Sequence, residues 1–137
     1  MKEGTFDYST LEKACSRLNE VLQRYMQNVQ DDAIRDSVIQ RFEFTYSLAL
    51  KIIRKYFIER AFVVEDVNQM SFNDMIRTAN QLNLFKSNLE TWTKFREMRN
   101  LTSHTYSEET ALKVVNIVPD FYEEIVFLIN SLKEKNA

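Results

Sequence analysis

The chain has 137 residues, of which 45% are hydrophobic, which is enough for one hydrophobic core but not for two. Residues 1–137 are therefore expected to form a single helical-bundle domain. One glycine and one proline leave few turn residues for β-hairpins, which excludes a sheet-rich fold and favours an all-α protein. The formal net charge of −2 excludes a globally basic nucleic-acid-binding protein, so any such contact must come from a local patch.

The first predicted element is an amphipathic helix over roughly residues 9–28. Ser9 and Glu12 have the spacing of a capping box, which would mark its start. Apolar residues then recur at intervals of three and four, which is typical of a helix with one buried face. The predicted buried stripe consists of Leu11, Ala14, Cys15, Leu18, Val21, Leu22 and Tyr25.

A second, longer helix is predicted from Asp31 and Asp32 to about Arg60. Acidic side chains favour the positive end of the helix dipole, which supports this start. Its apolar surface is broad, so we expect it to contact neighbours on more than one side. The predicted stripe is Val38, Phe42, Tyr46, Ala49, Ile53 and Tyr56, widened by Ile34, Phe44, Leu48, Ile52 and Phe57.

Three more helices are predicted in the second half of the chain. Residues 61–64 form a short run with β-branched residues and are expected to be a connector. Ser71 should cap a short helix, and residues 87–90 should begin a longer helix. Ser107 should cap the last helix, which Pro119 should kink or split. The predicted inward residues are Met75, Ile76, Ala79 and Leu82, then Leu89, Trp92, Phe95 and Met98, then Leu112, Val115, Ile125, Leu128, Ile129 and Leu132. The predicted fold is therefore an antiparallel four-helix bundle with one extra short helix.

The sequence also carries signals about location. Cys15 is the only cysteine, so an internal disulfide is impossible, and its place in an apolar stripe favours a small core residue over a nucleophile. No apolar run approaches the ~20 residues that a membrane span needs, and the N-terminus lacks a signal-peptide pattern. We therefore expect a cytoplasmic protein that has no contact with the membrane.

The most specific feature is the segment 99–106, which holds the only histidine. Arg99 can bind phosphate with two parallel hydrogen bonds, and His104 is the residue type best suited to move protons near pH 7. Asn100 is expected to share a helix face with His104. Arg99 lies about 140° round the helix from His104, so Arg99 and His104 reach one site only if the helix loosens or another surface closes the gap. Residues 104–106 are expected to form a helix end or tight turn.

This set of groups fits metal-free chemistry at a phosphodiester. His104 could take a proton from a 2′-hydroxyl or give one to the leaving oxygen, Arg99 could stabilise the developing charge, and Asn100 could orient the phosphate. The alternative is that Arg99 and His104 tie the helix end to neighbouring carboxylates. No metal or cofactor is expected, because one histidine and one cysteine exclude the common zinc sites and the only glycine, Gly4, excludes a glycine-rich phosphate loop.

The pattern Arg-Asn-x-x-x-His-x-Tyr at 99–106 resembles the signature of the HEPN superfamily. Together with the string Gln-Arg-Phe-Glu-Phe-Thr-Tyr at 40–46, it resembles the branch of nucleotidyltransferase substrate-binding proteins, over roughly Tyr8 to Leu132. The resemblance implies a HEPN-like helical fold, a homodimer, and a separate minimal nucleotidyltransferase chain as partner, with nucleotide or RNA as a further ligand. The nucleotidyltransferase site itself, a Gly-Ser pair with paired aspartates, is absent from this sequence.

The resemblance also implies roles for individual residues. It assigns substrate binding to Arg99, Asn100, His104, Tyr106 and Glu43. In some members the equivalent of Tyr106 receives AMP from the partner, so Tyr106 is a candidate for modification; packing at the helix junction is the alternative. Glu43 could orient Arg99 or His104 from the facing helix, or it could be a solvated surface charge.

Three functions remain open at this point. The first is a substrate-binding or substrate subunit in a toxin–antitoxin-like pair with a nucleotidyltransferase. The second is a metal-independent endoribonuclease in which Arg99, Asn100 and His104 are catalytic and two copies line one cleft. The third is a structural helical protein whose motif is a relic. The Thr-Ser run inside the motif resembles the substrate-binding branch, which favours the first function.

Overall fold

A computed structural model describes residues 5–60 and 62–136, and within them the chain is helical and contains no β-strand. The helices are α1 (Ser9–Gln27), α2 (Asp32–Glu59), α3 (Val64–Gln69), α4 (Phe72–Gln81), α5 (Leu89–Leu101), α6 (Glu108–Val115) and α7 (Val118–Asn136), with a 3₁₀ turn (Thr102–His104) between α5 and α6. The prediction of an all-α fold is confirmed. Gly4, and Ala61 of the expected connector, lie outside the described residues.

Four helices begin where short polar side chains predict a start. Asp31, Ser71, Asn88 and Ser107 each accept a hydrogen bond from the backbone N–H three residues later, at 3.1, 3.1, 3.1 and 3.5 Å respectively. Each such bond satisfies one of the backbone donors that a helix leaves free in its first turn. The start of α5, which carries the motif, is fixed in this way by Asn88.

The first helix begins differently from the prediction. The capping box at Ser9 is wrong: the residue before the helix is Tyr8, whose side chain makes no capping bond, and the backbone N–H of Ser9 donates to the Asp7 carboxylate at 2.9 Å. Ser9 therefore lies inside the first turn, where its hydroxyl cannot cap. The carboxylate of Asp7 satisfies a free donor in its place.

The expected connector after α2 contains a helix that the sequence pattern did not predict. α3 covers Val64–Gln69, and Glu65 and Asp66 lie in its first turn, where acidic groups favour the helix dipole. Val67 is fully buried and attaches this short helix to the core. The β-branched residues that suggested a break thus stand at the start of a helix, because burial of one side chain outweighs their weak helix propensity.

Pro119 splits the last predicted helix rather than kinking it. α6 ends at Val115 and α7 begins at Val118, so Pro119 lies in the first turn of α7. A proline is favoured there because its missing N–H would have had no partner inside the helix. The break lets α6 pack on α2 and α5 while α7 runs back beside α1.

The buried apolar side chains of these helices form one core cluster. α7 runs antiparallel to α1, since the amide of Asn136 pairs with both backbone groups of Phe6. Trp92 lies fully buried among aromatic rings, and Cys15 is buried as predicted. Two predicted inward residues are exposed, Phe44 at 62% and Leu112 at 40%, because each lies at the edge of its apolar stripe, which the described residues leave open to solvent.

A buried carboxylate fixes the position of α5 against α7. Oε2 of Glu124 accepts hydrogen bonds from the backbone N–H groups of Lys86 and Ser87, at 3.0 and 3.3 Å, and from the indole N–H of Trp92 at 3.3 Å. Glu124 is fully buried, so these donors compensate part of the cost of removing its charge from water. None of the helices in residues 5–60 and 62–136 combines the length and apolar content that crossing a lipid bilayer requires.

Candidate functional site

The motif begins on the last turn of α5 and continues through the 3₁₀ turn. Arg99 and Asn100 are helical, His104 ends the 3₁₀ turn, and Tyr106 follows in the loop before α6. The hydroxyl of Thr102 lies 2.7 Å from the Arg99 carbonyl oxygen, a local contact that competes with regular helix bonding. The predicted helix end in this segment is therefore observed, and it starts as a tightening at Thr102.

Glu43 on α2 anchors this turn through Thr102. The Thr102 hydroxyl lies 2.6 Å from Oε2 of Glu43, and because a hydroxyl has one proton, the charged carboxylate is the stronger acceptor. Glu43 is half-buried, so it is not the fully solvated charge of the alternative. It has no hydrogen bond or ion pair with Arg99 or His104 among the described residues; it orients the backbone that carries them.

A buried arginine on α2 holds the other end of the segment. Arg35 is 7% exposed, and its Nη1 lies 2.9 Å from Oε1 of Glu108, the first residue of α6. The same guanidinium lies 3.4 Å from carboxylate oxygens of Asp32 and Asp36. Together with Glu43, Arg35 fixes both ends of the loop between α5 and α6 to one helix.

The functional groups between these two anchors face solvent. His104 is exposed, and Tyr106 is 91% exposed, so the alternative in which Tyr106 packs at the helix junction does not hold. Across residues 5–60 and 62–136, Arg99 and His104 form no ion pair with a carboxylate. The alternative in which these two residues tie the helix end to acidic neighbours therefore has no supporting contact.

Arg99 and Asn100 line a groove of about 350 Å³ between α2, α4 and α5, which we call the arginine groove. Its lining residues are Tyr46, Ser47, Leu50, Arg54, Phe72, Met75, Arg96, Arg99 and Asn100. His104 and Tyr106 are not among them, so within one chain Arg99 and His104 serve different surfaces. This agrees with the angular separation of Arg99 and His104 on a helix. Asn100, which was expected to share a helix face with His104, lines the groove with Arg99 instead, because α5 gives way to the 3₁₀ turn before His104.

Arg54 and Arg96 are groove residues that sequence reasoning missed. Arg96 precedes Arg99 by three and Asn100 by four positions, so helical spacing alone could have placed these three on one face. The guanidinium of Arg96 stacks 4.7 Å above the Phe72 ring, a cation–π contact that fixes its direction. Arg54 comes from α2, and only the packing of α2 on α5 brings it to the groove.

The chemistry available here is anion binding in the groove and proton transfer on the adjacent turn. Burial raises the pKa of Tyr46 to about 12, against the opposing influence of Arg96, Arg99 and Arg54, so its hydroxyl stays protonated and can donate a hydrogen bond. In the described part of the chain, no three His, Cys, Asp or Glu side chains lie close enough to hold a metal ion.

Comparison with known proteins gave consistent matches. The family described as nucleotidyltransferase substrate binding protein like matches residues 6–134. A relative named "Probable ribonuclease HepT" from Haemophilus influenzae is 34% identical over 109 residues, which cover 80% of this chain and 74% of the relative. A solved structure from the same species, described as revealing the fold of a substrate binding domain of a nucleotidyltransferase, aligns with a TM-score of 0.85 at 30% identity, over 93% of this chain and 99% of that one.

Proposed function

The chain belongs to the family of nucleotidyltransferase substrate-binding-like proteins, and from this membership we propose that it is the substrate-binding subunit, or itself the substrate, of a separate minimal nucleotidyltransferase. The two chains would act as a toxin–antitoxin-like pair in the cytoplasm. The partner would supply the nucleotide and metal chemistry, since this sequence contains no Gly-Ser pair and no Asp-x-Asp pattern of a nucleotidyltransferase site.

The observation that carries this proposal is an exposed motif on an anchored loop. Glu43 and Arg35 hold the loop from behind, while His104 and Tyr106 extend into solvent. A segment whose backbone is fixed and whose polar groups have no partners in the described chain is suited to meet another molecule, because little order is lost on binding. If the motif were only a structural relic, there would be no reason for the side chains of His104 and Tyr106 to stay exposed and without partners in the described chain.

Co-purification tests the partnership. The tagged chain is co-expressed with a small nucleotidyltransferase that carries the Gly-Ser and paired-aspartate pattern, ideally one encoded beside it. We expect the two chains to elute together. The matched control is Arg24→Ala, which removes an exposed arginine of α1 that pairs only with Glu20 in the described structure. Arg99→Ala should weaken the complex, whereas Arg24→Ala should not.

Tyr106 is the proposed point of modification. Its side chain is 91% exposed, so a partner's active site could reach the phenol oxygen without unfolding the loop. Incubation with the nucleotidyltransferase, ATP and magnesium should transfer one adenylyl group from ATP to the phenol oxygen, with loss of the phenol proton and release of pyrophosphate, and intact-mass spectrometry detects the added mass. Tyr106→Phe should abolish the addition; an unchanged mass increase in this variant would remove Tyr106 from the proposal.

A second candidate function is a metal-independent endoribonuclease. It is favoured by the name of the Haemophilus relative and by the exposed imidazole of His104, which no other described residue engages. The purified chain is mixed with an RNA pool in EDTA. Cleavage that survives EDTA and disappears in His104→Ala would place this candidate first. Absence of cleavage, together with a stable nucleotidyltransferase complex, supports the main proposal.

We further propose that the working form is a homodimer. Acid–base cleavage of RNA uses two proton-handling groups, and the chain has one histidine, so a two-fold axis would supply the second. The exposed aromatic ring of Phe44 on α2 offers apolar surface for such an interface. Sedimentation at micromolar concentration should give twice the mass of the chain; a monomer would overturn this part.

A further inference from the structure

We propose that a pocket between α5 and α7 binds a primary alkylammonium group, with Asp120 and Glu123 as its carboxylate ligands. The pocket has a volume of about 300 Å³ and is lined by Lys86, Ser87, Thr91, Phe95, Asp120 and Glu123. None of these residues belongs to the motif or lines the arginine groove. The inference therefore goes beyond the proposed function and does not rest on it.

The first argument is that two carboxylates meet at this pocket without a cation. Asp120 and Glu123 are three positions apart on α7, so their side chains lie on one face of the helix. Within residues 5–60 and 62–136, neither carboxylate forms an ion pair, although Lys86 lines the same pocket. Like charges at this spacing repel each other, and a bound cation would relieve the repulsion.

The second argument is a third carboxylate, which is buried behind the wall of the pocket. Glu124 is fully buried, and its side chain is directed at this wall because Oε2 accepts hydrogen bonds from the backbone N–H groups of Lys86 and Ser87, at 3.0 and 3.3 Å. Its other oxygen, Oε1, is buried and has no hydrogen-bond partner in the described part of the chain. A buried carboxylate is normally compensated by a cation or by a full set of hydrogen bonds, so this region favours the approach of positive charge.

The third argument is that the neutral lining suits an organic cation. The side-chain hydroxyls of Ser87 and Thr91 form no hydrogen bond with other described residues, so each oxygen can accept from an ammonium, which has three N–H donors. Phe95 is fully buried and adds apolar surface for an alkyl chain. A divalent metal ion requires more oxygen ligands, and no three His, Cys, Asp or Glu side chains of the described chain lie close enough to hold one.

The charge of Lys86 distinguishes a simple amine from an amino acid as the ligand. Lys86 is exposed and is the only cation that lines the pocket, so it opposes the entry of a second cation but would attract the carboxylate of a zwitterion. With Asp120 and Glu123 as the other charged lining residues, the net charge of the lining is negative, which favours the amine. The ammonium can belong to a free diamine or to a lysine side chain of another protein, since both present the same group on an alkyl chain.

An NMR titration of the whole chain tests the inference. The indole N–H of Trp92, the only tryptophan, donates to Oε2 of Glu124 at 3.3 Å and therefore reports on the carboxylate behind the pocket. The probes are the diamine putrescine, the amide of Nα-acetylated lysine, and butanol as a neutral control. We expect both amines to shift the indole signal and the backbone amide signals of residues 86 and 87, with a dissociation constant of roughly millimolar or tighter, and butanol not to shift them. The affinity should fall as salt rises. Tighter binding of putrescine indicates a free diamine and tighter binding of the lysine amide a lysine side chain; either result supports the site.

Charge-removing variants locate the site. Asp120→Asn and Glu123→Gln should each weaken amine binding by roughly threefold to tenfold, the effect of losing one partly screened ion pair. Glu134→Gln removes the same charge from an exposed position about three turns further along α7 and should leave the affinity within about twofold. Lys86→Gln removes the opposing charge, so it should strengthen amine binding. Circular dichroism checks that each variant is folded, and either carboxylate variant alone is sufficient for the comparison.

Several outcomes would overturn the inference. The first is a Trp92 indole signal that neither amine shifts, and the second is an affinity of the Asp120→Asn variant equal to that of Glu134→Gln. Butanol that binds as tightly as the amines would show an apolar site only, and weaker amine binding by Lys86→Gln would contradict the assignment of a cation as ligand. None of these results bears on the partnership with a nucleotidyltransferase, because the pocket and the motif share no residue.

Discussion

The hydroxyl of Thr102 lies 2.6 Å from Oε2 of Glu43, a residue 59 positions earlier in the chain. This hydrogen bond joins the middle of α2 to the point where α5 tightens into the 3₁₀ turn. The bond fixes the position of the backbone at Thr102, which lies between Arg99 and His104 in the chain. Glu43 therefore influences the placement of both residues through Thr102. The anchoring of the motif is thus a property of α2 as much as of the motif itself.

Thr102→Val is expected to loosen the turn. It keeps the side-chain shape and removes the hydroxyl, which should lower the free energy of unfolding by about 1 kcal/mol because the Glu43 acceptor is half-solvated. Amide hydrogen exchange in residues 102–106 should accelerate. The matched control is Thr93→Val, since the Thr93 hydroxyl bonds only within α5, to Leu89. Equal exchange in both variants would show that the link between Glu43 and Thr102 does not order the turn.

Arg35→Met is expected to destabilise the fold by about 1–2 kcal/mol, measured by urea unfolding. The loss is moderate because the paired carboxylates, Glu108 among them, are largely solvated, and because Nε of Arg35 has no partner among the described residues. Arg24→Met, which breaks an exposed pair with Glu20, should cost less than about 0.5 kcal/mol. If both variants lose the same amount, Arg35 does not anchor α6.

Glu124→Leu is expected to cost about 3 kcal/mol or more. The apolar side chain would leave the buried indole N–H of Trp92 and the partly buried backbone N–H groups of Lys86 and Ser87 without their acceptor. Glu124→Gln should cost less, because its amide oxygen still accepts. Urea unfolding followed by the emission of Trp92, the only tryptophan, measures both variants. Similar stability of the leucine and glutamine variants would refute this role for Glu124.

Cys15 is expected to resist alkylation in the native protein. Burial raises the pKa of its thiol from 9.0 to about 11, with Glu123 adding to the rise, so at pH 8 about a hundredfold less thiolate is present than in the unfolded chain. The pKa of the thiol is higher in the folded protein than in the unfolded chain, so the folded state favours the protonated thiol. The resulting contribution to the free energy of unfolding is complete below about pH 9 and is lost as the pH rises through about 11. Iodoacetamide labelling with and without urea measures the difference; equal rates would contradict it.

Local signals in the sequence predicted the helices well because their causes are local. Asn88 and Ser107 cap helices through bonds that span three residues, and Pro119 breaks a helix wherever it lies inside one. The exceptions depend on tertiary contacts. α3 forms because Val67 is buried, and Phe44 is exposed because the described residues leave its edge of the stripe open to solvent.

The candidate site was predictable in part for the same reason. The motif residues from Arg99 to Tyr106 are continuous in the sequence, so their residue types alone indicate a candidate site. Arg54 joins Arg96 only because α2 and α5 pack side by side, and no pattern within either helix indicates that contact. The sequence indicates Glu43 as a residue that faces the motif, but its partner, Thr102, depends on the register between the same two helices.

The central claim is that this chain works with a separate nucleotidyltransferase, and the affinity between the two purified chains tests it most directly. Calorimetric titration should give a dissociation constant of roughly micromolar or tighter. Arg99→Ala should weaken the complex and Arg24→Ala should leave it unchanged. A titration with no binding at roughly a hundredfold higher concentration, together with EDTA-resistant RNA cleavage that requires His104, would contradict the account.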